Sequence, residues 1–276
     1  MKILFFGRHN KSEMLSGPEK VAKRIFSSAS TKNQCVFVQY FFEGNVYSLM
    51  QKMFGCIEEH EGNLKIYRLG IFRIIPFVLR FRPDIIHVIT FERFALLGYI
   101  CKIFSGVKII YNVHGVAIYE NNELKSVPEG LKLKDSFCEK IFMKFSSVLL
   151  FLSRFELNIA RKYYNIPERK ICYVSNGIDE EFSKAKTGSS NIIPSIVFIG
   201  DSERRDKNFQ FLYSALDKVK FQCRLYIVGS FNTKIFDKKF ENVEISPIQK
   251  MNKEALVKFL SDKDIFVSPS FYVREC

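Results

Sequence analysis

The feature that most constrains the fold of this chain is a short apolar run that leads into a cationic loop, within residues Ile196–Asn208. Four consecutive apolar residues, Ile196–Ile199, are typical of a strand covered on both faces, and Gly200 ends the run. Three cations follow: Arg204, Arg205 and Lys207. Apolar residues at helical spacing then predict a helix over 208–219. A strand, a glycine, a cationic loop and a helix together form an anion site at the carboxyl end of a sheet in many α/β proteins, although a solvated basic loop has the same pattern.

The rest of the chain repeats this alternation. The sequence predicts strands at Lys2–Phe6, Gln34–Tyr40, Leu64–Tyr67, Ile85–Ile89, Lys108–Val113, Val148–Leu152 and Ile171–Val174, and later at 196–199, 224–228, 243–245 and 264–267. It predicts helices at Ile71–Phe81, Ala95–Ile103, Phe137–Phe145, Glu156–Tyr164, 208–219 and 253–261, with another that begins near residue 16. Alternating strands and helices indicate parallel sheets covered on both faces.

A polar segment of small residues, Thr187–Asn191, is the best candidate for a linker. It divides the chain into an N-terminal domain, 1–186, and a C-terminal domain, 187–276. The predicted fold class is therefore α/β, with two Rossmann-like domains that face each other across a cleft.

Composition narrows the class of protein. The net charge is +13 and is spread over both halves, so nucleic acid, anionic lipid and phosphorylated substrates all fit the charge alone. The seven cysteines show neither zinc spacing nor redox spacing, which favours reduced thiols in a cytoplasmic protein. The apolar runs are too short for a membrane span, and no Asp-x-Asp pair is expected to hold a divalent metal ion.

The helix near residue 16 has a recognisable start. Ser16 and Glu19 form the pattern of a capping box, and Pro18 suits a first turn. Gly17 permits close backbone approach, so a phosphate or a sugar fits at this helix start, as does an ordinary cap.

Eight segments, in order and spacing, resemble the family-4 retaining glycosyltransferases of the GT-B fold. They are SGPEKVAKRI, RPDIIHVIT, YNVHG, FLSRFE, YVSNGID, IVFIGDSERRDKN, LYIVGS and FLSDKDIFVSPSFYVRE. The resemblance implies a hexosyltransferase-type enzyme that moves a sugar from a nucleotide-diphosphate sugar to an acceptor hydroxyl with retention. The acceptor is expected to be a glycan or a lipid-linked intermediate of cell-surface polysaccharide or glycolipid synthesis. No metal or other cofactor is expected.

The resemblance also implies site residues. Gly17 matches the glycine loop near the donor phosphates, and His114 matches a histidine near the donor sugar. Lys207 matches the lysine that neutralises the diphosphate, and Glu275 matches the first of two glutamates eight positions apart. Asp201 stands where the family often has arginine, so Arg204 or Arg205 is expected to supply the missing cation.

The resemblance predicts an incomplete second domain, because position 283 of the second glutamate lies beyond Cys276. The 276-residue chain is therefore expected to be catalytically silent by itself. The alternative reading is a truncated or degenerate relative that binds a nucleotide or a partner without catalysis.

A further expectation is a peripheral position at the inner face of the membrane. It rests on Arg73, Arg80 and Arg82 among Phe72, Phe77 and Phe81, and on Lys132, Lys134, Lys140 and Lys144. Helices packed in the fold with solvated basic edges fit these residues equally well. Nucleic acid is not an expected partner, because the sequence contains no recognisable nucleic-acid-binding module.

Overall fold

The computed structural model describes residues 1–9, 17–41, 47–123, 129–178, 180–184, 191–233 and 237–270. The chain forms two compact units, Met1–Asn176 and Gly177–Val273. The predicted domain boundary, between residues 186 and 187, lies outside the described residues, and so does most of the predicted linker.

The first unit is built on an eight-stranded sheet with the order β3-β4-β2-β1-β5-β6-β7-β8. The strands are β1 (Lys2–Phe6), β2 (Gln34–Tyr40), β3 (Cys56–Glu61), β4 (Leu64–Leu69), β5 (Ile85–Val88), β6 (Lys108–Val113), β7 (Val148–Phe151) and β8 (Ile171–Tyr173). The helices are α1 (Gly17–Ser30), α2 (Leu49–Phe54), α3 (Ile71–Phe81), α4 (Leu96–Ser105), α5 (Ala117–Glu123), α6 (Glu129–Phe145) and α7 (Arg154–Tyr163).

Strand β3 corrects the expectation of purely parallel sheets. It pairs antiparallel with β4 in the register Glu61↔Leu64, whereas every other described neighbour pair in this sheet is parallel. Two residues, Gly62 and Asn63, form the connecting turn, and Gly62 has a φ of 58°. A two-residue loop with positive φ is typical of a tight β-hairpin, so a Gly-Asn pair between two short strands was the sequence signal for it.

The core of the first unit follows from β1, whose last four residues are all buried. On one side of the sheet, Phe5 packs against Phe26 of α1 and Phe37 of β2, with ring centroids 5.3 and 6.4 Å away. On the other side, Phe6 lies against Gly98 of α4, where an added Cβ would be 2.7 Å from the Phe6 ring. Both faces of β1 are therefore covered, as its continuous apolar sequence predicts.

The second unit contains a four-stranded parallel sheet with the order β11-β10-β9-β12. Its strands are β9 (Ser195–Ile199), β10 (Cys223–Val228), β11 (Val243–Ile248) and β12 (Ile265–Phe266), and its helices are α8 (Glu180–Lys184), α9 (Phe209–Ala215) and α10 (Lys253–Leu260). Phe198, Phe209 and Leu225 are buried at the centre of its core.

Helix α9 is shorter than the predicted helix over 208–219. It covers Phe209–Ala215 and continues only as a 3-10 turn over Leu216–Lys218. Asn208, the residue before the helix, has the left-handed φ of 50°, and its side chain donates to the Pro269 carbonyl at 3.0 Å instead of capping the helix.

None of the helices in the described part of the chain combines the length and the apolar character needed to cross a membrane.

Candidate active site

A cavity of about 270 Å³ lies at the carboxyl ends of three adjacent parallel strands, β1, β5 and β6. It is lined by Arg8, Pro18, Glu19, Thr90, Phe91, Glu92, His114, Gly115, Ala117 and Glu120. Each of the three strands contributes the residues that directly follow it, and α1 and α5 add their first turns. Open α/β sheets bind ligands in this position, outside the carboxyl ends of the strands.

Two larger depressions, of about 700 and 490 Å³, lie at the opposite end of the sheet, around Lys2, Gln34 and Arg80 to Asp84. They are adjacent to the amino ends of β1 and β2. The general position of ligand sites in α/β sheets therefore favours the smaller cavity.

The cavity contains a partly buried ion pair, in which an exposed Arg8 contacts a buried Glu92. The Arg8 Nε donates to the Glu92 Oε1, and the two side chains are 55% and 9% exposed. Burial raises the pKa of Glu92 to about 7, against the opposing effect of the Arg8 charge. Thr90 holds the backbone of Arg8 in place, because the Thr90 Oγ1 accepts a hydrogen bond from the Arg8 N–H at 3.1 Å. A carboxyl group with a pKa near neutrality is characteristic of functional sites, although ion pairs in the fold also produce such shifts.

His114 is half-buried at the end of β6, and its Nε2 is shielded from solvent. The strands behind it are joined by a buried pair, His87 on β5 and Asn112 on β6, whose Nε2 and Oδ1 lie 2.8 Å apart. Burial lowers the pKa of His87 to about 4, so that ring is neutral and the pair is an uncharged bridge. The bridge joins β5 to β6, the strands that Glu92 and His114 follow in the chain.

Glu139 of α6 fixes the segment that follows His114. Its carboxylate accepts from the backbone N–H groups of Ala117 and Ile118 at 2.7 and 3.1 Å, and from the Tyr164 hydroxyl at 2.7 Å. It therefore binds the first N–H groups of α5, which have no partner within the helix. Glu139 is fully buried, and that burial raises its pKa to about 7.

The second unit carries the cationic loop at the carboxyl end of β9. A glycine directly follows each of the strands β9 and β10, and the two backbones approach so closely there that a Cβ on Gly229 would lie 2.3 Å from the Gly200 carbonyl oxygen. Gly229 has a φ of 134°, which L side chains rarely adopt. The stem of Lys207 passes beside Gly200 and would be in ordinary van der Waals contact, at 3.5 Å, with a Cβ there. The end of β9 thus holds the Lys207 stem beside it.

The three cations of this loop differ in burial. Lys207 is half-buried, whereas Arg204 and Arg205 are exposed, and all three lie in or next to the 3-10 turn Arg205–Lys207. Asp201 holds the turn that precedes these cations, since its carboxylate accepts from the Glu203 N–H at 2.9 Å. Helix α9 has only seven residues, so the side-chain cations, more than the helix dipole, make this loop positive.

The predicted site residues fall into two groups. In the first unit, His114 lines the cavity, and Gly17 begins α1, whose next two residues also line it. In the second unit, Arg204, Arg205 and Lys207 lie together after β9. Glu275 and Ser16 lie outside the described residues.

Sequence reasoning missed Arg8, Thr90, Glu92 and Glu139. For Arg8 and Glu92 a signal was present, because both are charged residues that closely follow a predicted buried strand. Parallel neighbouring strands bring such residues to one edge of the sheet. Glu139 had no signal, because its partners lie 21 to 25 residues away along the chain.

Part of the cavity, at the ends of β5 and β6 and the start of α5, is built by a stretch that matches a known family. Residues 59–182 match the sequence model of Glycosyltransferase Family 4. The resemblance to family 4 is therefore confirmed over a stretch that includes Glu92, His114 and Glu139. The match includes neither Gly17 nor the cationic loop of the second unit. No protein of curated function matches the chain in sequence.

Solved structures of glycosyltransferases share the fold. Anabaena Alr3699/HepE, solved in complex with UDP and glucose, has a TM-score of 0.62 at 15% identity, over 98% of this chain and 74% of that one. The lipopolysaccharide outer core galactosyltransferase WaaB, in its apo form, has a TM-score of 0.65 at 14% identity, also over 98% and 74%. A glycosyltransferase from Rickettsia africae gives 0.63 at 15%, over 98% and 73%. These likenesses show the GT-B glycosyltransferase fold, with a second domain shorter than the first.

Proposed function

We propose that this protein is a retaining glycosyltransferase that moves a sugar from a nucleotide-diphosphate sugar to an acceptor hydroxyl. The observation that carries the proposal is the cavity at the ends of β1, β5 and β6. It places His114 beside the first turn of α1 and beside the partly buried Arg8–Glu92 pair. The match to family 4 over this part of the chain supports it.

Each group of residues has a proposed role. His114 hydrogen-bonds a hydroxyl of the donor sugar, and the backbone at Gly17 admits a phosphate at the start of α1. Lys207, with Arg204 or Arg205, neutralises the charge that develops on the departing nucleotide diphosphate, so the reaction needs no metal ion. Glu275 binds the donor sugar in this proposal.

The lining of the cavity indicates what kind of acceptor it takes. Three carboxylates line it, from Glu19, Glu92 and Glu120, against a single guanidinium from Arg8. Carboxylates accept hydrogen bonds from hydroxyl groups, and those of Glu92 and Glu120, away from the start of α1, would repel an anionic acceptor at close range. We therefore propose an uncharged, hydroxyl-rich acceptor unit, within a cell-surface polysaccharide or a glycolipid.

The proposal is tested by sugar transfer. The purified chain is incubated with UDP-, ADP- and GDP-sugars and with neutral glycoside acceptors, and the released nucleoside diphosphate is measured, with the anomeric configuration of the product read by NMR. Any transfer is expected to proceed with retention and to fall at least about 100-fold in His114→Ala, whereas no transfer is the outcome that the resemblance implies for the 276-residue chain by itself. Transfer with inversion, or full activity of the variant, contradicts the mechanism. Unchanged activity with EDTA is expected, because the cations of the loop replace a metal.

A second candidate function is nucleotide binding without catalysis. Asp201 favours it, because this carboxylate stands at a position where the resemblance implies an arginine. Calorimetry with the same nucleoside diphosphates separates the two functions. Binding that is weakened by Lys207→Ala, with no turnover on any sugar nucleotide, supports the non-catalytic function.

A further inference from the structure

Helices α2, α3 and α4 form one continuous outer layer of the first unit. The connections β4-α3-β5 and β5-α4-β6 cross the sheet in the same direction, and right-handed crossovers place both helices on the same face. Helix α3 packs against both α2 and α4. The ring of Phe54 in α2 stacks on Phe72 in α3, with centroids 5.1 Å apart, and the Arg73 Nε donates to the Phe54 carbonyl at 3.2 Å. We call the outward side of these three helices the acid-free face.

The charges on the acid-free face have one sign. The sequences LMQKMF, IFRIIPFVLRF and LLGYICKIFS contain no aspartate or glutamate. They contain four cations: Lys52, Arg73, Arg80 and Lys102. The three helices therefore add only positive charge to this surface, unlike an ordinary solvated helix surface with both signs interspersed.

The same face exposes large apolar side chains. Ile103 and Phe104, at the end of α4, are 80% and 75% exposed. The other exposed large apolar residues of the face are Leu49, Met50, Phe54, Ile71, Phe72, Leu79 and Ile100. Single exposed apolar residues are normal, but a group of this size on adjoining helices marks an interaction surface.

We propose that the acid-free face docks on a lipid bilayer that contains anionic lipids. Exposed aromatic and aliphatic side chains enter the boundary between headgroups and acyl chains, while lysine and arginine side chains reach the lipid phosphates. Charge complementarity selects this partner, because the face has cations and no carboxylate that a negative surface would repel. The proposal does not depend on sugar transfer, since it uses no residue of the cavity.

The structure changes which residues the membrane hypothesis uses. Phe77 and Phe81 are half-buried, and the Phe77 ring packs on Tyr67 with centroids 4.7 Å apart, so these two rings belong to the fold. Ile103 and Phe104 take their place as the most exposed apolar residues of the face. The side chain of Lys132 lies outside the described residues.

Vesicle co-sedimentation of the full chain tests the docking. The probes are vesicles of phosphatidylcholine alone and of phosphatidylcholine with phosphatidylglycerol, at low and at physiological salt. Binding is expected only with the anionic vesicles and should weaken as salt rises. The double variant Ile103→Ser/Phe104→Ser should lower the partition coefficient at least about tenfold, since its apolar groups no longer enter the lipid. Arg73→Gln and Arg80→Gln should each lower it about fivefold.

A matched control is the exposed pair Ile192 and Ile193 in the second unit, which are 99% and 49% exposed. Ile192→Ser/Ile193→Ser should leave the partition coefficient unchanged, and circular dichroism should show that all variants fold. Equal pelleting with neutral and anionic vesicles overturns the proposal, as does an equal loss in the control pair. Concentration-dependent dimerisation that Ile103→Ser/Phe104→Ser abolishes, without vesicle binding, would instead assign the face to a second copy of the chain.

Discussion

Replacing Glu139 by glutamine tests how a buried carboxyl group is held beside the cavity. The two side chains have almost the same shape, so the change removes only the ability to ionise and one acceptor atom. Three donors face Glu139, from Ala117, Ile118 and Tyr164. Glutamine can keep an oxygen toward Ala117 while its amide donates to the Tyr164 hydroxyl, so the bond from Ile118 is lost.

The magnitude follows from the pKa. Burial raises the pKa of Glu139 from 4.5 to about 7 in the folded protein. Between these values the folded state holds a proton that the unfolded state has released, so the free energy of unfolding falls as pH rises. At about 1.4 kcal/mol per pH unit, the carboxyl group of the wild-type protein removes about 3 kcal/mol of stability between pH 4.5 and pH 7. Glutamine has no such dependence.

Urea unfolding followed by circular dichroism at pH 5, 6, 7 and 8 measures the effect. Glu139→Gln should be less stable than wild type at pH 5, because a hydrogen bond is lost. The difference should shrink or reverse by pH 8, where the wild type carries a buried charge. Glu241→Gln, at an exposed position, should keep a constant difference from wild type. A variant that loses more stability at pH 8 than at pH 5 would refute the reasoning, because it would mean that the three donors outweigh burial and favour the ionised form.

Three other changes have defined outcomes. Gly229→Ala should destabilise the second unit by about 2 kcal/mol or more, because the new Cβ would lie 2.3 Å from the Gly200 carbonyl oxygen and the backbone φ is 134°. Urea unfolding measures the effect, and an unchanged unfolding midpoint would contradict it. Lys207→Ala should weaken nucleoside-diphosphate binding by about 1.5–3 kcal/mol in calorimetry, the range for a hydrogen bond to a charged group, and unchanged affinity would remove Lys207 from the site. Burial raises the pKa of Glu92 from 4.5 to about 7, so the wild-type protein should lose stability as pH rises through this range, and Glu92→Gln should not. A variant whose stability depends on pH as the wild type's does would contradict the raised pKa of Glu92.

Much of the fold could be predicted, because buried parallel strands leave a continuous apolar run. The strands Lys2–Phe6, Gln34–Tyr40 and Lys108–Val113 and the helix Ile71–Phe81 have the predicted bounds. Pro76 lies inside that helix without ending it, because the helix continues to Phe81 and stops only at Arg82, which has a left-handed φ of 52°.

The elements that were missed lack a strong periodic pattern. Strand β3 has the sequence Cys-Ile-Glu-Glu-His-Glu, is half-exposed and pairs with β4 on one side only. Because most of its residues are charged or polar, it lacks the apolar run by which the buried strands were recognised. Helices α2 and α8 have six and five residues, too few for helical periodicity to appear. Helix α5 begins at Ala117, where its first N–H groups bind Glu139, a contact between distant parts of the chain that no local pattern encodes.

The site residues could be predicted where they directly follow a buried strand. The contacts between residues that are distant in the chain could not, because the packing of the strands determines them. His114 was found from its place in the family resemblance, and the cavity places it beside the start of α1. The partnership of Arg8 with Glu92 required the order of the strands, because β1 and β5 are neighbours in the sheet although the two residues are 84 positions apart.

The antiparallel strand β3 also affects whether further chains can add to the edge of the eight-stranded sheet when the protein is concentrated. It forms one outer edge of the eight-stranded sheet and carries Glu58, Glu59 and Glu61, while the other outer strand, β8, has only three residues. A second copy of β3 that paired with it would place carboxylates beside carboxylates, which is unfavourable across neighbouring strands. Open-ended growth of the eight-stranded sheet by addition of further chains is therefore opposed at one edge by charge and at the other by length.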